Sequence, residues 1–410
     1  MIIKRIFLLL MFKCIIITAF AEDTIQIKHP KFISFQLAEG LVLPSSDIIS
    51  DKIIAPNVAA LSLRYGLQAK GDKWEDYYYG MPYKGIGFYK PFHELSREIG
   101  HPFSVFLFQG AQWKALSSGS SLHYEVNLGV SFNWRHYDVI NHPNFIALGS
   151  SVNAHLGGRI FLKKPISDLF DLHIGMNFLH FSNGAIYTPN YGINTITANV
   201  ELAYKINQRK YKMNTEKPEV SLIETEKRFV HDVSFFVTKR SLYLETVEIV
   251  KNNLRSKFPE HQFWVAGLNY DCLWRHSHRF MWGPSVNILY DEGQKVSFFV
   301  PETEDEHDYK EIITLGKMSE RFSLGLSLKG ELTMPGYCVF AQLGYDILSS
   351  EDLKEMRLYQ IYGVKVHLFK GLSTSLGVKS SNLTQSKFLF ISLGISTLHY
   401  CKTTLSSVIH

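Results

Sequence analysis

Two neighbouring stretches carry residue types that could transfer an acyl group: Leu179-His180-Phe181-Ser182-Asn183 and Thr188-Pro189-Asn190-Tyr191-Gly192-Ile193-Asn194. A serine hydroxyl attacks an ester when a neighbouring base takes its proton, and a third group that fixes the base's tautomer improves it. His180 and Ser182 are two positions apart, so on an extended strand they share a face. The developing oxyanion needs donors aimed at it. Asn183, Gly184 and Ala185 offer free backbone N–H groups on small residues, and Asn190 offers a side-chain amide.

The strand that must hold this pair has an oily side and a polar side. Counting back from His180 gives Phe178, Met176, Ile174 and Leu172, whereas the other parity gives Asn177, Gly175, His173 and Asp171. The hydroxyl and the imidazole therefore extend the apolar face. That placement suits a lipid substrate.

The same two-residue alternation recurs along the chain. In Leu122 to Trp134 every even position is apolar and every odd position is polar or glycine. Val152–Leu162, Ile196–Ile206, Phe322–Leu332 and Leu372–Val378 read alike. Soluble sandwich strands alternate too, but they are usually shorter. Repeated segments of about 10 residues, oily outside and polar inside, predict an all-β antiparallel transmembrane β-barrel.

Eight strands are expected in the first half, near 32–41, 57–67, 84–90, 102–109, 121–134, 148–162, 171–182 and 195–206, an even number that suits closure. The domain plan is a targeting segment 1–21, a first barrel 22–207, a charged linker 208–227, and a second barrel-like half 228–410 with about eight strands. The hairpin from Gly377 through Lys379, Ser380 and Ser381 into Phe388 faintly echoes the end of the first half, without a His-x-Ser pair. The second half is accordingly expected to lack the site, and the first to be self-sufficient.

Residues 1–21 have Lys4 and Arg5, then an apolar stretch broken by Lys13, then Ala19-Phe20-Ala21, the layout of a cleaved export signal. Removing it takes three basic residues and leaves the chain close to neutral. No clustered basic face predicts nucleic acid. Cys272, Cys338 and Cys401 are too scattered for a disulfide framework or a zinc site. No metal or cofactor is expected. The acidic run Glu302 to Asp308 reads as a solvated loop, His276-Ser277-His278 as a surface turn, and Trp74 to Tyr83 as an interfacial aromatic belt.

The two opening stretches, taken as His180-Phe181-Ser182-Asn183 followed by Pro189-Asn190-x-Gly192-Ile193, resemble the signature of the outer-membrane lipid A 3-O-deacylases (PagL-type, acyloxyacyl-hydrolase-like enzymes). The motif covers some 15 residues; over the rest of the first half the likeness is one of pattern. The resemblance implies an eight-stranded barrel whose last two strands and intervening loop form the site. His180 would be the general base, Ser182 the nucleophile, and Asn190 with the loop backbone the oxyanion donors. It implies lipid A or a related lipid as the partner and the outer membrane as the location.

One position departs from that family. Its acidic triad member falls at Asn194, which can orient the imidazole but cannot stabilise imidazolium by charge. An Asp-to-Asn change in a serine protease triad lowers kcat by roughly 10⁴-fold, yet Cys-His-Asn enzymes exist. Glu201 cannot substitute, because its parity points it into the barrel. A non-catalytic barrel of structural or lipid-binding character is therefore the second reading. If the chain enters from the periplasm, the seventh strand ends outside, at the outer leaflet. The long 68–83 connection then falls on the periplasmic side, where turns are usually short.

Overall fold

The computed structural model describes residues 29–397 except 44–56, 93–98, 117–118, 139–140, 143–144, 207–226, 243–261, 300–311, 351–356, 370 and 382–384. The expected export signal, nearly all of the charged linker, the acidic run and Cys401 lie outside the described residues.

Alternation becomes two closed antiparallel barrels of eight strands each. The first comprises β1 Lys31–Leu43, β2 Asn57–Gln68, β3 Tyr83–Phe92, β4 Gly100–Ala115, β5 Ser121–Trp134, β6 Asn153–Pro165, β7 Phe170–Ser182 and β8 Ile193–Ile206. A short helix, α1 Trp74–Tyr78, lies between β2 and β3. Pairing of β1 with β8, Phe35 opposite Leu202, closes the ring. The second barrel comprises β9 Phe229–Ser241, β10 Gln262–Arg275, β11 Phe280–Asp291, β14 Phe322–Met334, β15 Tyr337–Leu348, β16 Leu358–Phe369, β17 Leu372–Ser381 and β18 Gln385–Ser396. Pairing of β18 with β9 closes it. A small hairpin, β12 Ser297–Phe299 and β13 Ile312–Thr314, stands apart between β11 and β14.

Parity sorts the side chains as a bilayer demands. Along β1, Ile33, Phe35 and Leu37 are about half exposed, while Ser34 and Gln36 are buried. The apolar outer rows continue over β2, β7 and β8. Soluble monomers rarely expose so continuous an apolar belt, and it matches the lipid-facing band of a transmembrane barrel.

The interiors are filled. In the first lumen Arg64 and Arg159 pair with Glu125 and Glu201, and His173 Nδ1 lies 3.0 Å from a Glu201 oxygen. In the second, Lys329 pairs with Asp271 at 2.5 Å, and Lys365 joins Glu331 at 2.6 Å and Asp232 at 3.2 Å. These charges survive burial because each has a partner. Toward the ends of β5 and β7, polar filling gives way to an apolar cluster including Trp134, Leu179, Phe181, Tyr89 and Phe106. The polar-inside expectation therefore holds for the middle of the first barrel and fails at this end, where side chains cap the lumen.

β6 begins at Asn153, not near 148. Residues just before it bend inward instead: Leu148 is fully buried, and its carbonyl accepts from Tyr137 N–H at 2.7 Å. The long β2–β3 connection also has a physical account. Its helix packs on the β10–β11 turn of the second barrel, with the Trp74 and His278 ring centroids 5.3 Å apart. Tyr79 O–H donates to His278 O at 3.2 Å, and Arg279 donates to Tyr78 O. Trp74, Tyr78 and Tyr79 thus make an inter-barrel contact, not a free interfacial belt, and Tyr83 lies inside the first barrel, its O–H donating to a Glu125 oxygen at 3.2 Å. His278 is likewise half-buried and not a surface residue, with its Nδ1 2.9 Å from an Arg275 nitrogen.

Candidate active site

The end of β7 and the start of β8 present the candidate residues on the outer face. His180 pairs directly with Asn194 across the two strands, and Ala154 of β6 lies opposite Ser182. Side chains of directly opposed residues stand about 5 Å apart at Cβ, close enough to bond. The period of two then adds Ser182 to the same face.

The three side chains form one hydrogen-bonded line. His180 Nδ1 lies 2.6 Å from Asn194 Oδ1, and His180 Nε2 lies 2.8 Å from Ser182 Oγ. An amide oxygen only accepts, so the proton sits on Nδ1 and the Nε2 lone pair faces the serine hydroxyl. That is the tautomer a general base requires. Leu156, Phe178 and Ile196 flank the line on the outer face through their pairing positions. Ser182 is 5% exposed, so little water reaches its oxygen.

Gly192 lets the returning loop cross the imidazole. It has φ +80°, and a Cβ there would stand 2.7 Å from His180 Cε1. Only glycine combines this backbone with that approach. Its N–H donates to Ala147 O at 2.9 Å, tying the loop to the inward-bent segment before β6.

The expected oxyanion group is partly reorganised. Asn183 N–H is not free, because it donates to Asn190 Oδ1 at 3.2 Å. The burial of this loop explains the difference: a dry N–H must find an acceptor, and Asn190 supplies one. The same bond frees Asn190 Nδ2, which is buried without a partner among the described residues. The Gly184 and Ala185 N–H groups meet no acceptor among the described residues. The available donors are therefore the Asn190 amide and the backbone of Gly184 and Ala185. Asn183 instead ties the loop together, its Nδ2 donating to Ser150 Oγ at 3.2 Å and its Oδ1 accepting from Tyr187 N–H at 3.3 Å.

Glu201 lies in the lumen at 1% exposure, engaged with arginines and His173. It is on the wrong side of the barrel wall to reach His180. Ser150 belongs to this network without a motif to announce it: it is one serine in an expected strand that forms a bend instead.

A family model described as lipid A 3-O-deacylase (PagL) matches residues 59–203. A second, described as acyloxyacyl hydrolase, C-terminal domain, matches residues 234–400. Similar solved structures include the outer membrane enzyme PagL, 18% identical with a TM-score of 0.27, covering 41% of this chain and 97% of that one. Neisserial surface protein A is 9% identical with a TM-score of 0.28, covering 43% of this chain and 97% of that one. No curated protein sequence matches the chain.

Proposed function

Since the chain belongs to the lipid A 3-O-deacylase (PagL) family, its first barrel matching that model and its second the C-terminal-domain model, we propose that it is an outer-membrane serine esterase. It hydrolyses an ester-linked fatty acyl chain of lipid A or a related outer-membrane lipid. The observation that carries this reading is the bonded line Ser182–His180–Asn194 on the lipid-facing wall.

Ser182 Oγ attacks the ester carbonyl while its proton passes to His180 Nε2. The tetrahedral oxyanion meets the Asn190 amide and the backbone N–H groups of Gly184 and Ala185. Collapse breaks the ester C–O bond, and the departing alcohol oxygen takes the proton from His180. Water then attacks the acyl-serine, losing a proton to His180, and collapse releases the fatty acid as Ser182 Oγ takes that proton back. Asn194 holds the imidazole without charge, so its contribution is orientation alone.

Placement favours a lipid substrate. The site lies at the end of the barrel where β1, β3 and β5 finish, while β1 begins and β8 finishes at the opposite end. Short turns on the periplasmic side are the habit of such barrels, which supports a position for Ser182 at the outer leaflet.

The test is mass spectrometry of lipid A incubated with purified protein, with release of free fatty acid measured alongside. Loss of one acyl mass by the wild type, and no loss by Ser182→Ala, is the expected result. Equal activity in Ser182→Ala would sink the assignment. The neutral Asn194 motivates one competing reading, a lipid-binding barrel without catalysis. Its signature is a wild type that binds lipid A and releases nothing.

A further inference from the structure

The turn after Ser182 is not supported by its own barrel alone. Asn183 to Ile186 close a tight turn, with Gly184 at φ +63°, Ala185 at φ +61°, and Ile186 N–H donating to Asn183 O at 3.4 Å. Two successive left-handed residues define a type I′ turn. An alanine adopts that conformation only at a cost, and such strain persists only where the surroundings hold it.

The holding groups come from the second barrel. Ser241, the last residue of β9, donates its Oγ–H to Ile186 O at 2.7 Å and its N–H to Ala185 O at 3.3 Å. Leu389 of β18 sits against the tip of the turn, where a Cβ on Gly184 would stand 2.6 Å from Leu389 Cβ. Leu389 is itself fastened, its carbonyl accepting from Thr238 Oγ1 at 2.7 Å. Ser241 is 4% exposed, so both of its bonds to the turn are dry.

Across a trans peptide, a carbonyl and the following N–H point in opposite directions. Drawing Ala185 O and Ile186 O toward Ser241 therefore turns the N–H groups of Ile186 and Tyr187 back toward Asn183. They meet its carbonyl at 3.4 Å and its Oδ1 at 3.3 Å. Asn183 follows Ser182 directly and binds Asn190 through its own N–H. One continuous set of contacts thus joins Ser241 to the residue that follows Ser182 and to the Asn190 amide.

We infer that the second barrel completes the active site: Ser241, backed by Leu389, is a positioning residue that holds the 183–187 turn, and with it Asn190, in the geometry that receives the oxyanion. This rests on the esterase reading and gives a task to a barrel in which no His-x-Ser pair occurs. It also replaces the expectation of a self-sufficient first half.

The test uses the full chain in detergent micelles, comparing wild type with Ser241→Ala, Ser241→Thr and Leu389→Ala. Two readouts are taken: kcat and KM for fatty acid release from lipid A, and hydrogen–deuterium exchange over residues 183–192. Ser241→Ala should lower kcat about tenfold, the scale of one lost hydrogen bond. KM should stay near the wild-type value, because oxyanion contacts act in the transition state. Exchange at Asn183, Ile186 and Tyr187 should quicken, and Ser241→Thr should restore both readouts. Leu389→Ala leaves β9 intact and should quicken exchange as well, which keeps the test alive if Ser241→Ala misfolds. Unchanged kcat and unchanged exchange in Ser241→Ala would overturn the inference, as would failure of Ser241→Thr to restore kcat. If the wild type releases no fatty acid, the esterase reading falls, and exchange alone then decides whether Ser241 holds the turn.

Discussion

His180 and Asn194 face each other directly across β7 and β8, with the imidazole Nδ1 2.6 Å from the amide oxygen. By the resemblance, the family's acidic triad member falls at this position, and here it is a neutral acceptor of nearly the same shape. Asn194→Asp should therefore raise kcat without disturbing the fold. A charged partner strengthens a hydrogen bond from about 1 to about 2–3 kcal/mol, so the gain should approach tenfold. Asn194→Ala should lose about tenfold. Fatty acid release under saturating lipid A checks both, and a faster Asn194→Ala enzyme would disprove the orienting role.

Ser182→Ala and His180→Ala should each lower kcat by roughly 10⁴-fold or more, the scale seen when a serine hydrolase loses its nucleophile or base. The barrel should remain intact. His180 lies on the outer face, so its truncation opens no cavity in the packed lumen. Heat-modifiable mobility on gels, compared with wild type, separates loss of chemistry from loss of fold.

Gly192→Ala should damage activity more than stability. The new methyl would stand 2.7 Å from His180 Cε1 on a backbone at φ +80°. The ring must shift, and misplacement by about 1 Å costs roughly 10²-fold. Kinetics beside a thermal melt would reveal an equal fall in both if the loop merely supports the fold.

Glu201→Gln should do the reverse. Its carboxylate neutralises Arg159 and meets His173 in the lumen, away from the Ser182–His180–Asn194 line. Removing one partner of a buried ion pair costs about 3–5 kcal/mol, read as a lower urea midpoint. The kcat of the folded fraction should be unchanged. A large loss of kcat would mean that Glu201 serves the base after all.

Much of this protein was legible residue by residue. A strand alternates its side chains with a period of two whatever surrounds it, so the row Leu172 to Phe178 already declared an oily outer wall carrying His180 and Ser182. The same parity placed Glu201 inside, and there it lies against Arg159. What parity cannot supply is register. Asn194 meets His180 because β8 pairs with β7 at one particular offset, set by barrel closure and by the loop between them. The inward turn at Leu148, the binding of Asn183 N–H by Asn190, and the seating of Trp74 against His278 are likewise products of packing. The grip of Ser241 on Ile186 spans the two barrels. Alternation is a property of neighbouring residues, written in order along the chain. These contacts depend on which surfaces meet after each barrel has closed, and only the tertiary structure decides that.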